Sequence, residues 1–461
     1  MRIPVWLALI AALVAVVIIV IIGQMLLVPS LPLITDAFFT PAAITPNADG
    51  SDDVTILTYG LSRNAHITLT LTDESGQTYA FRQDEPRTPD NYIVLFSGVV
   101  DGFTLPDESF GDQQILRRLI PDGNYTWRLS AVDETGATDE RTGTLLITEG
   151  SAALPELTAF EIFPTEFTPN QDGIHDRTAI NVFLSKAADL QVYLLSAEGA
   201  QIFVPELVTE VRKGEPGYHL FDYDGGVDMN ADPPPDGTYQ VVAFARDAVG
   251  QEVQRTAEIT LVDGGKPFAQ IVPQPTGVTV VFETRPWEDR FASTREQLGD
   301  LINPPADPAA LTMTTLDLPV GDLLVFKLTI ENYSDVPIRT TGPAPGTVYQ
   351  WDQRASTLGL PDESGTWRVG IDCTTAASDY PWRWAIGTDE QLETVPDPDN
   401  EDIVYRYLPA GARAVVWGAV RMTQLEARNP QNCWAGLIHE GVEVAAVNNN
   451  VGSREVRLEA P

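Results

Sequence analysis

Residues 121–136 read PDGNYTWRLSAVDETG, and residues 235–250 read PDGTYQVVAFARDAVG. In both, Asp-Gly marks a tight turn. Apolar residues then fall on alternate positions: Tyr125, Trp127, Leu129 and Ala131 in the first, Tyr239, Val241, Ala243 and Ala245 in the second. A period of two is the signature of a strand with one buried face. Glu134-Thr135-Gly136 and Ala248-Val249-Gly250 supply a second turn, and GTLLIT or AEITLV a closing strand.

The duplication extends upstream. TPNADGSDD (45–53) and TPNQDGIHD (168–176) share one frame of Thr-Pro-Asn, Asp-Gly and a final Asp. Each precedes an alternating strand, with Ile67, Leu69 and Leu71 inward in one copy and Leu190, Val192 and Leu194 in the other. Two successive domains follow, 41–150 and 155–263, each predicted to be an antiparallel β-sandwich. The first carries an acidic insertion around DEPRTPDN.

The block TPNxDGxxD, LS, PDGxY and D..G resembles the Ig-like domain of the flagellar hook-cap family, a module that recurs in exported bacterial proteins. The resemblance covers about 41–263. Ala48 and Gln171 stand where that family has a first Gly, and its Trp-Asp-Gly element is degraded to LFSGVVDG and LFDYDGG. It implies a fold and an extracellular setting, not an activity.

Residues 267–461 form a third, larger β-rich domain. In GDLLVFKLTIEN, Leu324, Phe326, Leu328 and Ile330 alternate. IVYRYLPAGARAVVWGAVRM reads as two strands around a turn, and HEGVEVAAVNNNVGSREVRL as a hairpin. Phe291, Leu298, Leu301 and Ile302 fall at helical spacing and predict a short helix near 293–302. The order of LTIEN, LPAGARAVV and NNNVGSREVRL resembles bacterial adhesion-type Ig-like modules.

The N-terminus is apolar from Val5 to Val28, and no charged residue stands between Arg2 and Asp36. As a helix, that run reaches roughly 36 Å, enough for a hydrocarbon core of about 30 Å. Residues 1–28 are therefore expected to be a single-pass signal anchor. Arg2 on one side and acidic sequence on the other orient the N-terminus to the cytoplasm and the bulk outside. The competing reading is a cleaved signal peptide, whose apolar region is shorter and ends in a small-x-small site. Residues 29–40, rich in Pro, are expected to be a linker.

With 29 basic against 65 acidic residues, the net charge is −36. Such a surface repels nucleic-acid backbones and anionic headgroups and suits a setting with divalent cations or high salt.

Asn47, Asp49 and Asp53, and likewise Asn170, Asp172 and Asp176, put hard oxygens on a Gly-containing loop. That donor type suits structural Ca²⁺. The alternative is turn chemistry, in which Asn and Asp bond their own backbone. The acidic stretch DYDGGVDMNAD (222–232) is a weaker candidate of the same kind. Cys373 and Cys433 are the only cysteines, and in an exported chain an even count predicts a disulfide; buried thiols are the alternative. Trp382 and Trp384 share a face on a strand, which is either a platform for a protein or glycan partner or the domain core.

The four histidines, His66, His175, His219 and His439, are isolated in sequence, and no catalytic motif is present. The expected function is non-enzymatic. The two repeats act as a spacer presenting a C-terminal binding domain at the cell surface. The alternatives are a structural subunit of an extracytoplasmic assembly and, lower, a hydrolase with its site in 267–461.

Overall fold

The computed structural model describes residues 5–27, 31–106, 108–291 and 299–460. Val5–Leu27 is a helix of 23 residues. The side chains described in it are Trp6 and 10–22, all exposed. That is fewer than the roughly 20 a crossing requires, and among the described residues no helix is long and apolar enough to cross a membrane.

Everything after the helix is β. Repeat one packs a three-stranded sheet (Ile34–Thr40, Thr55–Leu61, Asn91–Phe96) on a five-stranded one. The alternating residues named above form its core: Ile67, Leu69, Leu71, Tyr125, Trp127, Leu129 and Ala131 are all buried. Repeat two reproduces this, with Leu157–Phe163, Thr178–Leu184 and Gly217–Tyr223 as its three-stranded sheet. Leu190, Val192, Leu194, Val241, Ala243 and Ala245 lie in its core.

The linker expected at 29–40 is corrected. Ile34–Thr40 is the first strand of repeat one and pairs with Thr55–Leu61. Burial drives this, because Ile34 is wholly enclosed and Phe39 packs edge-on against Trp127 at 5.6 Å. Its Pro-rich flanks disguise a strand only seven residues long.

The PDGxY frame has a simple physical basis. The Tyr125 hydroxyl donates to the Pro121 carbonyl (2.5 Å) and the Tyr239 hydroxyl to the Pro235 carbonyl (2.7 Å). The intervening Asp accepts two amides from the end of the domain: Asp122 from Glu149 and Gly150, Asp236 from Asp263 and Gly264. One five-residue motif thus closes the Tyr corner and pins the exit of the last strand.

The two repeats are joined through a shared sheet. A hairpin inserted in repeat one, Val99–Asp101 with Gln114–Leu119, pairs onto Glu252–Leu261 of repeat two. Gln251, wholly buried, stitches the connection: its amide donates to the carbonyls of Ser151 and Ala153, and its carbonyl accepts the Leu119 amide. Lys186 binds the same connection and Asp247.

The C-terminal domain stacks two five-stranded sheets, with a small third sheet at one end. Leu324, Phe326, Leu328 and Ile330 face the main core. The alternate residues Leu323 and Val325 are equally buried, under Phe291, Ile302 and Ala419. This strand is therefore covered on both faces, which a period of two does not announce. The expected helix near 293–302 falls partly outside the described residues; Asp289–Phe291 is a 3₁₀ turn and 299–302 is irregular. Val404–Leu408 and Arg413–Arg421 are strands as expected but join different sheets. Gln431–His439 and Val451–Glu459 do pair. Cys373 and Cys433 sit opposite each other on neighbouring strands and form a disulfide.

Candidate functional site

Both TPNxDGxxD loops bring their three expected residues together, and the oxygens turn inward. In copy one, Asp53 accepts the amides of Asn47 (3.0 Å), Ala48 (2.7 Å) and Gly50 (2.8 Å). Asn47 accepts the Asp49 amide and Asp49 the Ser51 amide. In copy two, Asp176 accepts from Asn170, Asp172 and Gly173, Asn170 from Asp172, and Asp172 from Ile174. The carboxylates expected as Ca²⁺ ligands thus serve as acceptors for their own loop. Among the described residues no group of three or more His, Cys, Asp or Glu is arranged to hold a metal ion. In the 222–232 stretch the cation is internal: Arg177 pairs with Asp222, Asp224 and Asp228.

The two loops differ in their surroundings. The first lies on the surface, with Ala48, Asp49 and Gly50 exposed. The second is inserted into the C-terminal domain. Tyr407 donates to the Asp172 carboxylate at 2.7 Å, His439 Nε2 lies 2.8 Å from the Gln171 carbonyl, and His175 Nε2 lies 2.9 Å from the Asp399 carboxylate. Two glycines make the contact possible. A Cβ on Gly173 would lie 2.3 Å from the Ser364 carbonyl, and one on Gly365 would lie 2.2 Å from the Asp172 backbone. Arg339 steadies this strip by donating to the Ser364 carbonyl.

Burial inverts the electrostatics of the motif. At Asp53, a small desolvation that raises the pKa is outweighed by the amides of Gly50, Ala48, Asn47 and Asp49, and the pKa falls. At Asp176, desolvation followed by the neighbouring Asp172 charge pushes the pKa up to about 6. Asp172 also rises through burial, against the lowering effect of Tyr407. Burial drives His439 down to about 4.

The partner platform expected at Trp382 and Trp384 is corrected. The two side chains do share a face, and that face is the core: they are 1% and 0% exposed. Trp384 packs on Phe326 and Tyr349, and Trp382 on Trp351. A residue alternation cannot tell a buried face from a binding face. The histidines sit in local pairings: His66 by Asp84, His219 by Glu206 and the Glu215 carbonyl, and the other two at the junction.

The open recess of the C-terminal domain lies beside the junction. It is a cavity of about 860 Å³ whose wall includes Arg339, Glu363, Asp389, Tyr405, Arg406 and Trp417. Sequence reasoning missed it because these residues come from four separate segments. The Arg339 guanidinium stacks over Tyr405 at 5.0 Å, and its Nε is buried without a hydrogen-bond partner among the described residues. Arg406 pairs with Asp389 across 3.2 Å on the exposed rim. Mixed charge around an aromatic wall suits a polar, uncharged or zwitterionic group.

No family model matches the chain, so the hook-cap resemblance rests on the quoted motifs only. No curated protein matches either. Among solved structures, the chain is similar to a tetra-tandem repeat from the extending region of a large adhesion protein: 12% identity, 92% of this chain and 75% of that one, TM-score 0.16. It is also similar to a Ca²⁺-stabilised adhesin with which an Antarctic bacterium reaches out and binds ice: 12% identity, 91% and 72% coverage, TM-score 0.19. A third is a 1.5-MDa bacterial ice-binding adhesin studied for its retention at the host cell surface: 10% identity, 93% and 96% coverage, TM-score 0.17. All three TM-scores are low, and the fold stands on this chain's own strand pairings.

Proposed function

We propose that this chain is a non-enzymatic display protein of the bacterial cell surface. Residues 5–28 anchor it in the cell membrane in a single pass, with the N-terminus cytoplasmic. The two Ig-like repeats form a stalk, and the C-terminal domain engages a protein or glycan partner outside the cell. The supporting observation is the pair of built junctions. A shared sheet couples repeat one to repeat two, and the docked loop couples repeat two to the C-terminal domain. Flexible tethers need neither; a stalk that holds a domain at a set distance needs both.

The TPNxDGxxD loops are assigned to turn closure, and a resident Ca²⁺ is not part of this reading. A second reading, a subunit of an extracytoplasmic assembly, draws on an exposed apolar patch. Phe38, Ile56, Ile93 and Leu95 stand on the outer face of repeat one, and such patches mark association surfaces.

The test has two parts. The full chain, expressed with a C-terminal tag, is expected in the membrane fraction, with the tag cleaved by protease added to intact cells. Release of a chain beginning near residue 30 would refute the anchor. Arg406→Glu in the full chain is expected to abolish capture of the extracellular partner in surface-extract and glycan-array binding. Unchanged capture would move the binding site away from the recess. Concentration-dependent oligomers in sedimentation, lost on Ile93→Lys, would favour the assembly reading.

A further inference from the structure

Repeat two carries a second large cavity, of about 880 Å³, between the turn at 196–200 and the segment 223–239. Its wall includes Ile202, Tyr223, Met229 and Tyr239, and Glu198 and Asp232 stand on it as well. Repeat one serves as an internal control, because the two sandwiches superpose residue by residue in their motifs. Gly76 of the turn corresponds to Gly199, so Tyr79 corresponds to Ile202; PDGxY aligns Tyr125 with Tyr239. Thr55 pairs with Phe96 and Thr178 with Tyr223, which aligns Phe96 with Tyr223.

In repeat one the same place is filled. Phe103, from the inserted hairpin, packs edge-on against Tyr79 at 4.9 Å, and Tyr79 against Tyr125 at 6.0 Å. The Arg118 guanidinium lies over the Phe103 ring at 5.0 Å and is held by Glu108. The chain therefore plugs repeat one with an aromatic ring backed by a cation. In repeat two, Val227 to Pro235 replaces the longer path from Val100 to Pro121, and neither ring nor cation is supplied.

Two further features show that the space is unfinished. The Tyr223 hydroxyl is buried without a hydrogen-bond partner among the described residues, although the residue is only 4% exposed. Such a group normally has one. Met229 is 72% exposed over the opening, and a flexible thioether suits a surface that repacks around an incoming side chain. Glu198 and Asp232 add negative charge at the rim of an already acidic protein.

We infer that this cavity binds a segment of a partner protein that presents an aromatic side chain next to a basic one. The segment completes in trans what Phe103 and Arg118 complete in cis in repeat one. The ring occupies the space between Ile202 and Tyr239, and the cation meets Glu198 and Asp232. The Ile202–Phe203 edge strand lies beside the opening, where the segment's backbone can run along it. This site is separate from the recess of the C-terminal domain and does not depend on the role proposed for that recess.

The experiment uses the full chain in detergent micelles and a labelled, end-capped peptide Gly-Arg-Phe-Arg-Gly, followed by equilibrium dialysis. Saturable binding is expected, weakened about tenfold or more when Phe in the peptide is replaced by Ala. Ile202→Trp, which fills the cavity from within, is expected to remove it. Glu198→Lys with Asp232→Lys, both on the exposed surface and harmless to the fold, is expected to weaken it about tenfold. Three results would overturn the inference: equal binding of the Ala peptide, binding untouched by the surface double variant, or preferential binding of a neutral disaccharide such as maltose. Failure of the recess variant Arg406→Glu to alter partner capture would leave this result unchanged, which keeps the two sites distinguishable.

Discussion

Tyr407 of the C-terminal domain donates its hydroxyl to the carboxylate of Asp172, a residue 235 positions earlier in the chain. That bond fixes how the repeated loop is used. Its counterpart Asp49 lies on the surface of repeat one. One sequence frame therefore serves as a plain turn in the first repeat and as an inter-domain plug in the second.

Tyr407→Phe should destabilise the junction, because it leaves a buried carboxylate oxygen short of a donor. A loss of about 1–3 kcal/mol is expected. Asp49→Asn, on the exposed copy, should stay within about 0.5 kcal/mol. Urea unfolding of the full chain, followed by fluorescence of the C-terminal tryptophans, checks both.

The junction should also respond to pH through two opposed groups. Asp176, raised to about 6, contributes stability that is full below its unfolded value of 3.8 and is lost as pH rises through about 6. Asp172 acts in the same sense. His439, lowered to about 4, contributes stability that is present above 6.5 and is lost as pH falls through about 4. Shifts of this size are worth about 3 kcal/mol each, so they largely offset one another between these limits. His439→Gln keeps a donor for Gln171 and removes the offset. Its stability relative to wild type should therefore fall as pH rises from 4 to 6.5, and parallel curves for the two proteins would refute this.

Calcium should act on the loops no better than magnesium. A bound ion at 100 times its dissociation constant would stabilise a repeat by about 2.7 kcal/mol, an upward shift of roughly 10–20 °C for a domain of this size. With the carboxylates committed to amides, equal small shifts are expected in both ions, unchanged by Asp49→Asn. A calcium-specific shift lost in Asp49→Asn or Asp172→Asn would reinstate the cation site.

Cys373 and Cys433 should resist alkylation until reductant is added. Closing a loop with a sequence separation of 60 stabilises a domain by roughly 4 kcal/mol in the chain-entropy model. Reduction should accordingly lower the melting temperature of the C-terminal domain and leave the two repeats unchanged in a calorimetric scan.

Much of the repeat fold was legible in the sequence, for a local reason. Alternation at Ile67, Leu69 and Leu71, or at Tyr239, Val241, Ala243 and Ala245, reports which face of a strand is apolar. The PDGxY frame closes its own corner within five residues. The same local logic was blind to what covers a face or a loop. It could not say that Trp382 and Trp384 point into the core, since a core face and a binding face have the same period. Nor could it see that Ile34–Thr40 is a strand, that the second loop is buried while the first is not, or that repeat two is left open where Phe103 closes repeat one. Those outcomes depend on contacts between residues a hundred or more positions apart, and burial, which sets the charge on Asp176, exists only once those contacts have formed.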